Sequence, residues 1–125
     1  HRDGFVYGCS GRHTENAELR CVEWRTGRVA WSEPGLGRTS LLLVDGHLFC
    51  LTEGGDLLVV RATPERFDQV AEIPLVGEPP APGAEKPKLL NYPAWAAPIL
   101  AHGLLYVRGS DRLVCIELAR DDAGP

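Results

Sequence analysis

Asp3-Gly4-Phe5-Val6-Tyr7, Asp45-Gly46-His47-Leu48-Phe49 and His102-Gly103-Leu104-Leu105-Tyr106 are three versions of one phrase. Each opens with a polar residue and a glycine, a pairing that suits a tight hairpin turn, and runs through alternating residues to an aromatic. A second strand-like element follows each turn: Leu19-Arg20-Cys21-Val22-Glu23-Trp24, Leu57-Leu58-Val59-Val60-Arg61 and Leu113-Val114-Cys115-Ile116-Glu117-Leu118. In all three a small apolar residue (Cys21, Val59, Cys115) stands two places before a charged one (Glu23, Arg61, Glu117). Residues two apart share a face of a strand, so the match is one of position as well as composition. The repeat has a period of about 40 residues, stretched once by the Pro-rich segment 77–93.

Further strands are expected before the second and third turns, over 39–44 and 96–101, and closing strands over 28–32 and 69–75. The count is then three, four and three. With 14 glycines and 10 prolines spread through the chain, turns joining short strands outweigh helix. The expected fold class is all-β: about ten strands in three antiparallel blades of a β-propeller, cut from a ring of about six to eight blades. The blades span about 1–38, 39–76 and 94–120, with 77–93 as an insertion, and the outer two lack a strand each. Glu53-Gly54-Gly55 and Gly109-Ser110-Asp111 read as hairpin turns. Helix is expected only as one turn at Thr63-Pro64-Glu65-Arg66-Phe67, where Thr before Pro is a start signal.

The segment Cys21-Val22-Glu23-Trp24-Arg25-Thr26-Gly27-Arg28-Val29-Ala30-Trp31 resembles the tryptophan-docking motif of pyrroloquinoline-quinone (PQQ)-like propeller repeats, Ala-x-Asp-x-x-Thr-Gly-Lys-x-x-Trp. Thr26, Gly27 and Trp31 match outright, and Cys21, Glu23 and Arg28 are conservative replacements. The run Trp95-Ala96-Ala97-Pro98-Ile99-Leu100-Ala101-His102-Gly103-Leu104-Leu105-Tyr106-Val107 is similar to the family's blade opening. The resemblance implies that Trp31 packs against a neighbouring blade, and that the chain belongs to a periplasmic or secreted bacterial protein. It also implies two possible roles. One is a non-catalytic binding or scaffold platform, with no cofactor. The alternative is part of a quinoprotein alcohol or sugar dehydrogenase, whose PQQ and calcium ligands would lie mainly in other blades. The second blade departs from the motif at Arg61-Ala62-Thr63-Pro64, and the adjacent Cys-Cys pair that often covers the cofactor is absent from the sequence.

The net charge of −4, with scattered Lys and Arg, argues against a nucleic-acid or anionic-membrane surface. The expected partners are the remaining blades of the ring and, through loops, another protein or a small ligand. No apolar run approaches the ~20 residues of a membrane-spanning helix, so no transmembrane segment is expected. The polar start His1-Arg2-Asp3-Gly4 resembles neither a signal peptide nor an initiator sequence, which suggests a piece of a longer protein. Cys9, Cys21, Cys50 and Cys115 lie far apart and read as small buried apolar residues, with one disulfide as the alternative.

Candidate chemistry is sparse, and the expected catalytic, cofactor-binding and metal-binding sets are all empty. Trp24 and Trp95 offer a possible stacking floor, but core or inter-blade packing is the expected role. Asp56 and Asp111 sit at hairpin turns, where Asp is favoured for backbone hydrogen bonding. His1, His13, His47 and His102 lack the i, i+2 or i, i+4 spacing of a local metal site, although His47 and His102 flank equivalent turns. Gly8-Cys9-Ser10-Gly11 lacks the strand-to-helix elbow of a nucleophilic serine. Glu15, Glu18 and Glu23 offer no paired acid and base. Any family-specific function is best sought in the loop 10–18 and the insertion 77–93; the insertion suits extended polyproline-like chain, and a plain connector is its expected role.

Overall fold

The repeated phrase is also a repeated backbone conformation. Asp3, Asp45 and His102 have φ of 50°, 48° and 53°, and Gly4, Gly46 and Gly103 have φ of 83°, 76° and 77°. Two successive left-handed residues are what a type I′ turn demands, and its twist matches that of the strands it joins. The computed structural model describes residues 1–118. Its strands are β1 (Phe5–Ser10), β2 (Glu18–Glu23), β3 (Val29–Pro34), β4 (Thr39–Val44), β5 (His47–Thr52), β6 (Leu57–Arg61), β7 (Asp68–Ile73), β8 (Ile99–Ala101), β9 (Leu104–Arg108) and β10 (Leu113–Glu117).

They form three antiparallel meanders, β1-β2-β3, β4-β5-β6-β7 and β8-β9-β10, as the three, four, three count anticipates. The repeat extends to hydrogen bonds outside the ladders. The carbonyl of each turn glycine accepts a backbone N–H from beyond its sheet's second element: Trp24 to Gly4 at 2.9 Å, Ala62 to Gly46 at 2.9 Å and Leu118 to Gly103 at 3.1 Å. Register shifts fall at equivalent places too, between Cys21 and Val22 and between Val59 and Val60.

The second sheet is covered on both faces. Leu48, Cys50, Leu58 and Val60 pack against Leu19, Cys21 and Trp31 of the first sheet. Leu51 and Leu57, pointing the other way, pack with Leu105 and Val107 of the third sheet and with Leu75, Leu90 and Ala94 of the crossover. A sheet buried on both faces needs no apolar-polar alternation, which is why 41–44 and 48–51 read as continuous apolar runs. Each fully buried leucine contributes about 1.5–3 kcal/mol from burial. The third sheet leaves its far face open, with Ile99 and Leu113 each 63% exposed.

The structure departs from the sequence reading in several places. The closing and opening strands around the insertion are shorter than 69–75 and 96–101, because Pro74 and Pro98 bring no N–H to a ladder. Residues 63–67 form bends, not a helical turn: the Thr63 carbonyl is taken by the Trp31 Nε1–H at 2.7 Å, and its hydroxyl accepts the Glu65 N–H at 3.3 Å. The one 3₁₀ turn among the described residues is Thr14–Asn16. All four cysteines are free thiols. Cys21 and Cys50 are buried as expected, but Cys9 is half-buried and Cys115 exposed, because Cys115 shares the open face of the third sheet with Leu113.

Nor is the insertion a bare extended connector. Its arms pair through a bridge between Val76 and Lys88 and an N–H of Leu89 to the Leu75 carbonyl at 2.9 Å, closing off an exposed excursion. Its last residues then turn inward, and Leu90 and Ala94 are fully buried. The expected end of the third blade at residue 120 lies outside the described residues.

Candidate functional site

Successive connections in an antiparallel meander fall at alternate ends. The Asp-Gly and His-Gly turns therefore lie at one end of the sheets, together with the 24–28 and 62–67 turns. At the other end gather the β1–β2 loop, the β3–β4 link, the β5–β6 hairpin, the crossover before β8 and the β9–β10 hairpin.

Glu53 stands at the centre of this second end. It follows the apolar strand β5 and its side chain is only 4% exposed. Glu53 Oε1 accepts the Arg38 backbone N–H at 3.1 Å, and Oε2 accepts Arg38 Nε–H at 3.0 Å and Trp95 Nε1–H at 3.0 Å. The Thr14 side chain, from the β1–β2 loop, stands beside the carboxylate and helps to hold its charge. Burial pushes the carboxyl pKa up, but Thr14, Trp95 and Arg38 together outweigh it and hold the group at about 2. Glu53 is therefore a fixed anion at neutral pH. Its backbone is engaged as well, the N–H on the Arg38 carbonyl at 2.8 Å and the C=O on the Ala94 N–H at 2.9 Å.

These bonds hold Trp95 in a definite pose. Its Nε1–H is taken by Glu53, its carbonyl accepts the Ser40 hydroxyl at 2.8 Å, the Arg38 guanidinium carbon lies 4.6 Å from its ring centroid, and Tyr92 meets it edge-on at 5.9 Å. Arg38 Nη2 also donates to the Tyr92 hydroxyl at 3.3 Å. Yet Trp95 remains 52% exposed. It forms a wall shared by two shallow clefts. One, of about 270 Å³, is lined by Cys9, Gly11, Arg38, Thr39, Ser40 and Trp95. The other, of about 210 Å³, is lined by Pro93, Trp95, Ala96, Arg108, Gly109 and Ser110.

Among the sequence candidates, Trp31 takes the inter-sheet position expected of it. It is 9% exposed, donates to the Thr63 carbonyl of the second sheet and meets Phe67 edge-on at 5.7 Å and Tyr7 at 6.1 Å. The turn before it is closed by Glu23, which accepts Thr26 Oγ1–H at 2.8 Å and Arg28 Nη2–H at 3.2 Å. Trp24 and Trp95 depart from the packing role expected of them. Trp24 is 70% exposed at the turn end, edge-on to His1, and Trp95 owes its position to polar bonds.

Asp56 pairs with Lys88 at 3.3 Å and Asp111 accepts Asn91 Nδ2–H at 3.1 Å, so both tie the crossover to hairpins. Ser10 donates to the Glu18 carbonyl at 3.5 Å from a strand end. Glu15 lies in the exposed 3₁₀ turn, and Glu18 pairs with Arg20 at 2.8 Å. His47 and His102 stay at their separate turns, and among the described residues no group of three or more His, Cys, Asp or Glu side chains is placed to hold a metal. The two segments offered as places for function, 10–18 and 77–93, supply Thr14 and Tyr92 to the cluster. In the sequence Glu53 reads only as a turn residue. The one local signal of its role is a carboxylate ending an apolar strand.

No protein-family model, curated protein or solved structure matches this chain.

Proposed function

We propose that the chain is a set of β-propeller blades of the PQQ-like type, acting as a non-catalytic binding or scaffold platform in an extracytoplasmic bacterial protein, its ring completed by further blades. The observation that carries the reading is Trp31, a residue of the docking-like segment that spans from one sheet to the next and bonds a backbone carbonyl there. The sheet stacking adds support. Leu48 and Cys50 face the preceding sheet as their repeat equivalents Leu105 and Val107 do, so one packing step is used twice. The open face of the third sheet is the side on which a further blade would continue that step.

The platform role draws on the loop end, where segments of all three sheets converge on a rigid, half-exposed tryptophan. Rigid scaffolds present ligands from such connections. The compartment rests on the family resemblance alone. The competing quinoprotein reading would need a carboxylate and amide set for calcium and a cofactor floor. Among the described residues the one buried carboxylate of the loop end, Glu53, is already engaged by Arg38 and Trp95.

Equimolar PQQ and Ca²⁺ titrated into the protein, with dye-linked alcohol oxidation as the readout, tests the non-catalytic reading. The expected result is neither tight cofactor binding nor turnover. Tight binding with oxidation would replace this reading with the dehydrogenase one.

A further inference from the structure

The two clefts beside Trp95 differ in what their polar groups have left to offer. In the larger one, Thr39 donates to the Gly37 carbonyl, Ser40 to the Trp95 carbonyl, and Arg38 is committed to Glu53 and Tyr92. In the smaller one, Arg108 has no carboxylate within ion-pair distance among the described residues, and the Ser110 hydroxyl has no hydrogen-bond partner among them. Pro93, Ala96 and the Trp95 indole supply the apolar side. Arg108 and the Ser110 hydroxyl, both without a partner among the described residues, thus line the same cleft as an apolar surface.

The wall is preorganised. Exposed tryptophans ordinarily lose rotamer freedom when a ligand orders them, and that loss is subtracted from affinity. Trp95 is already fixed by Glu53, Ser40, Arg38 and Tyr92 while about half its surface stays open. Its π-face is electron-rich and attracts the weakly positive C–H groups of an aliphatic ring. Arg38, seated over the ring, lines the larger cleft and not this one.

The shape of the cleft selects among anions. Sites for flat aromatic ligands are enclosed and mostly apolar, whereas this cleft is shallow and mixes polar with apolar lining. That suits a ring with one apolar face and a hydroxylated rim. One unpaired guanidinium recognises one carboxylate in bidentate fashion. It gives no track for a phosphate chain, which needs several cations in series. We propose that the cleft between Trp95 and Arg108 binds an acidic pyranose, a uronic acid alone or as a residue of an acidic saccharide. The pyranose C–H face lies on Trp95, its carboxylate on Arg108 and a ring hydroxyl on Ser110.

This assignment deepens the platform reading and rests on it only in placing the ligand at the loop end. The test titrates D-glucuronate into the protein and follows the three indole N–H resonances by NMR, with Trp95→Phe identifying its signal. The Trp95 resonance is expected to shift saturably in the millimolar range, the Trp24 and Trp31 resonances remaining still. D-glucose and benzoate should each bind at least about tenfold more weakly, as should glucuronate to the Arg108→Gln variant, since one lost charge-assisted hydrogen bond is worth that much. Arg108 is exposed, so this variant keeps the fold, and unchanged resonance dispersion checks it.

No saturable shift by about 100 mM glucuronate, far above the millimolar range, would overturn the assignment, as would equal affinity in Arg108→Gln. Benzoate binding more tightly than glucuronate would make the cleft an aromatic-acid site and overturn the sugar assignment. Each of these outcomes leaves the PQQ titration, and with it the non-catalytic reading, unaffected.

Discussion

The first and second sheets are joined by an aromatic plug, and the loop end joining the second sheet to the crossover and third is held by an ion pair between buried Glu53 and half-buried Arg38. At the first junction Trp31 fills space among Leu48, Cys50, Phe67 and Tyr7, and its one polar atom finds the Thr63 carbonyl. At the second, Glu53 gathers Arg38, Thr14 and Trp95 from segments that share no local motif. The aromatic junction, whose Tyr7 and Cys21 have pKa values pushed upward by burial and so are uncharged at neutral and acid pH, depends on shape. The ionic one depends on a charge, and removing Arg38 would leave Glu53, only 4% exposed, buried without its counter-ion. A single fold thus uses two unlike ways of fixing neighbouring sheets, and they should fail differently.

The largest effect is expected at the plug. Trp31→Ala removes a buried aromatic and leaves the Thr63 carbonyl without its donor, so denaturant unfolding should show a loss of about 3–5 kcal/mol. That loss should be the same at pH 7 and pH 3.

Next comes the ion pair, through pH. A glutamate in an unfolded chain titrates near ~4.3, and Glu53 in the fold is held at about 2. Because the folded value is the lower one, its stabilising contribution is complete above the unfolded pKa and lost as pH falls toward the folded one. The difference corresponds to about 3 kcal/mol, disappearing between about pH 5 and pH 2. Glu53→Gln should lower stability at pH 7 and flatten the acid limb of the stability profile. An acid limb as steep in Glu53→Gln as in the parent would place the acid sensitivity elsewhere.

The smallest expected effect compares glycines at the two ends. At the turn end Gly103 has open space for a side chain, so Gly103→Ala suffers only from its φ of 77°, about 1 kcal/mol. At the loop end a Cβ on Gly109 would sit 2.9 Å from the Asn91 carbonyl oxygen and 3.0 Å from its nitrogen. Gly109→Ala should therefore cost more and push the crossover away, shifting the Trp95 resonance. Equal losses for the two variants would mean that the crossover yields freely.

The same contrast explains what the sequence reveals. The turn end is local: Asp-Gly and His-Gly pairs impose their φ angles on adjacent residues, and Thr26-Gly27 closes on Glu23 within a few positions, so strands and turns can be read residue by residue. Trp31 is legible because its docking-like segment is contiguous. The loop end is assembled across the chain. Glu53 reaches Arg38 in a preceding link and Trp95 after a long crossover, and nothing in Thr-Glu-Gly-Gly distinguishes a buried anion from an exposed turn glutamate. The misread strand ends and the expected helical turn have one origin: prolines and a long-range indole N–H took hydrogen-bonding groups that local patterning assigns to regular structure.

The excursion between Val76 and Lys88 has a use of its own. Its two arms are clasped at the base by the Val76–Lys88 bridge, the Gly77 N–H on the Pro87 carbonyl at 2.8 Å and the Leu89 N–H on the Leu75 carbonyl. Beyond the clasp, residues 81–86 are exposed and a side chain at Gly83 would meet nothing within 4 Å. The tip is thus mechanically decoupled from Leu90, Ala94 and Trp95, which the clasp holds in place. A fluorescent domain or an affinity tag grafted at Gly83 would ride on the molecule as a handle, reporting on the loop end without bearing on it.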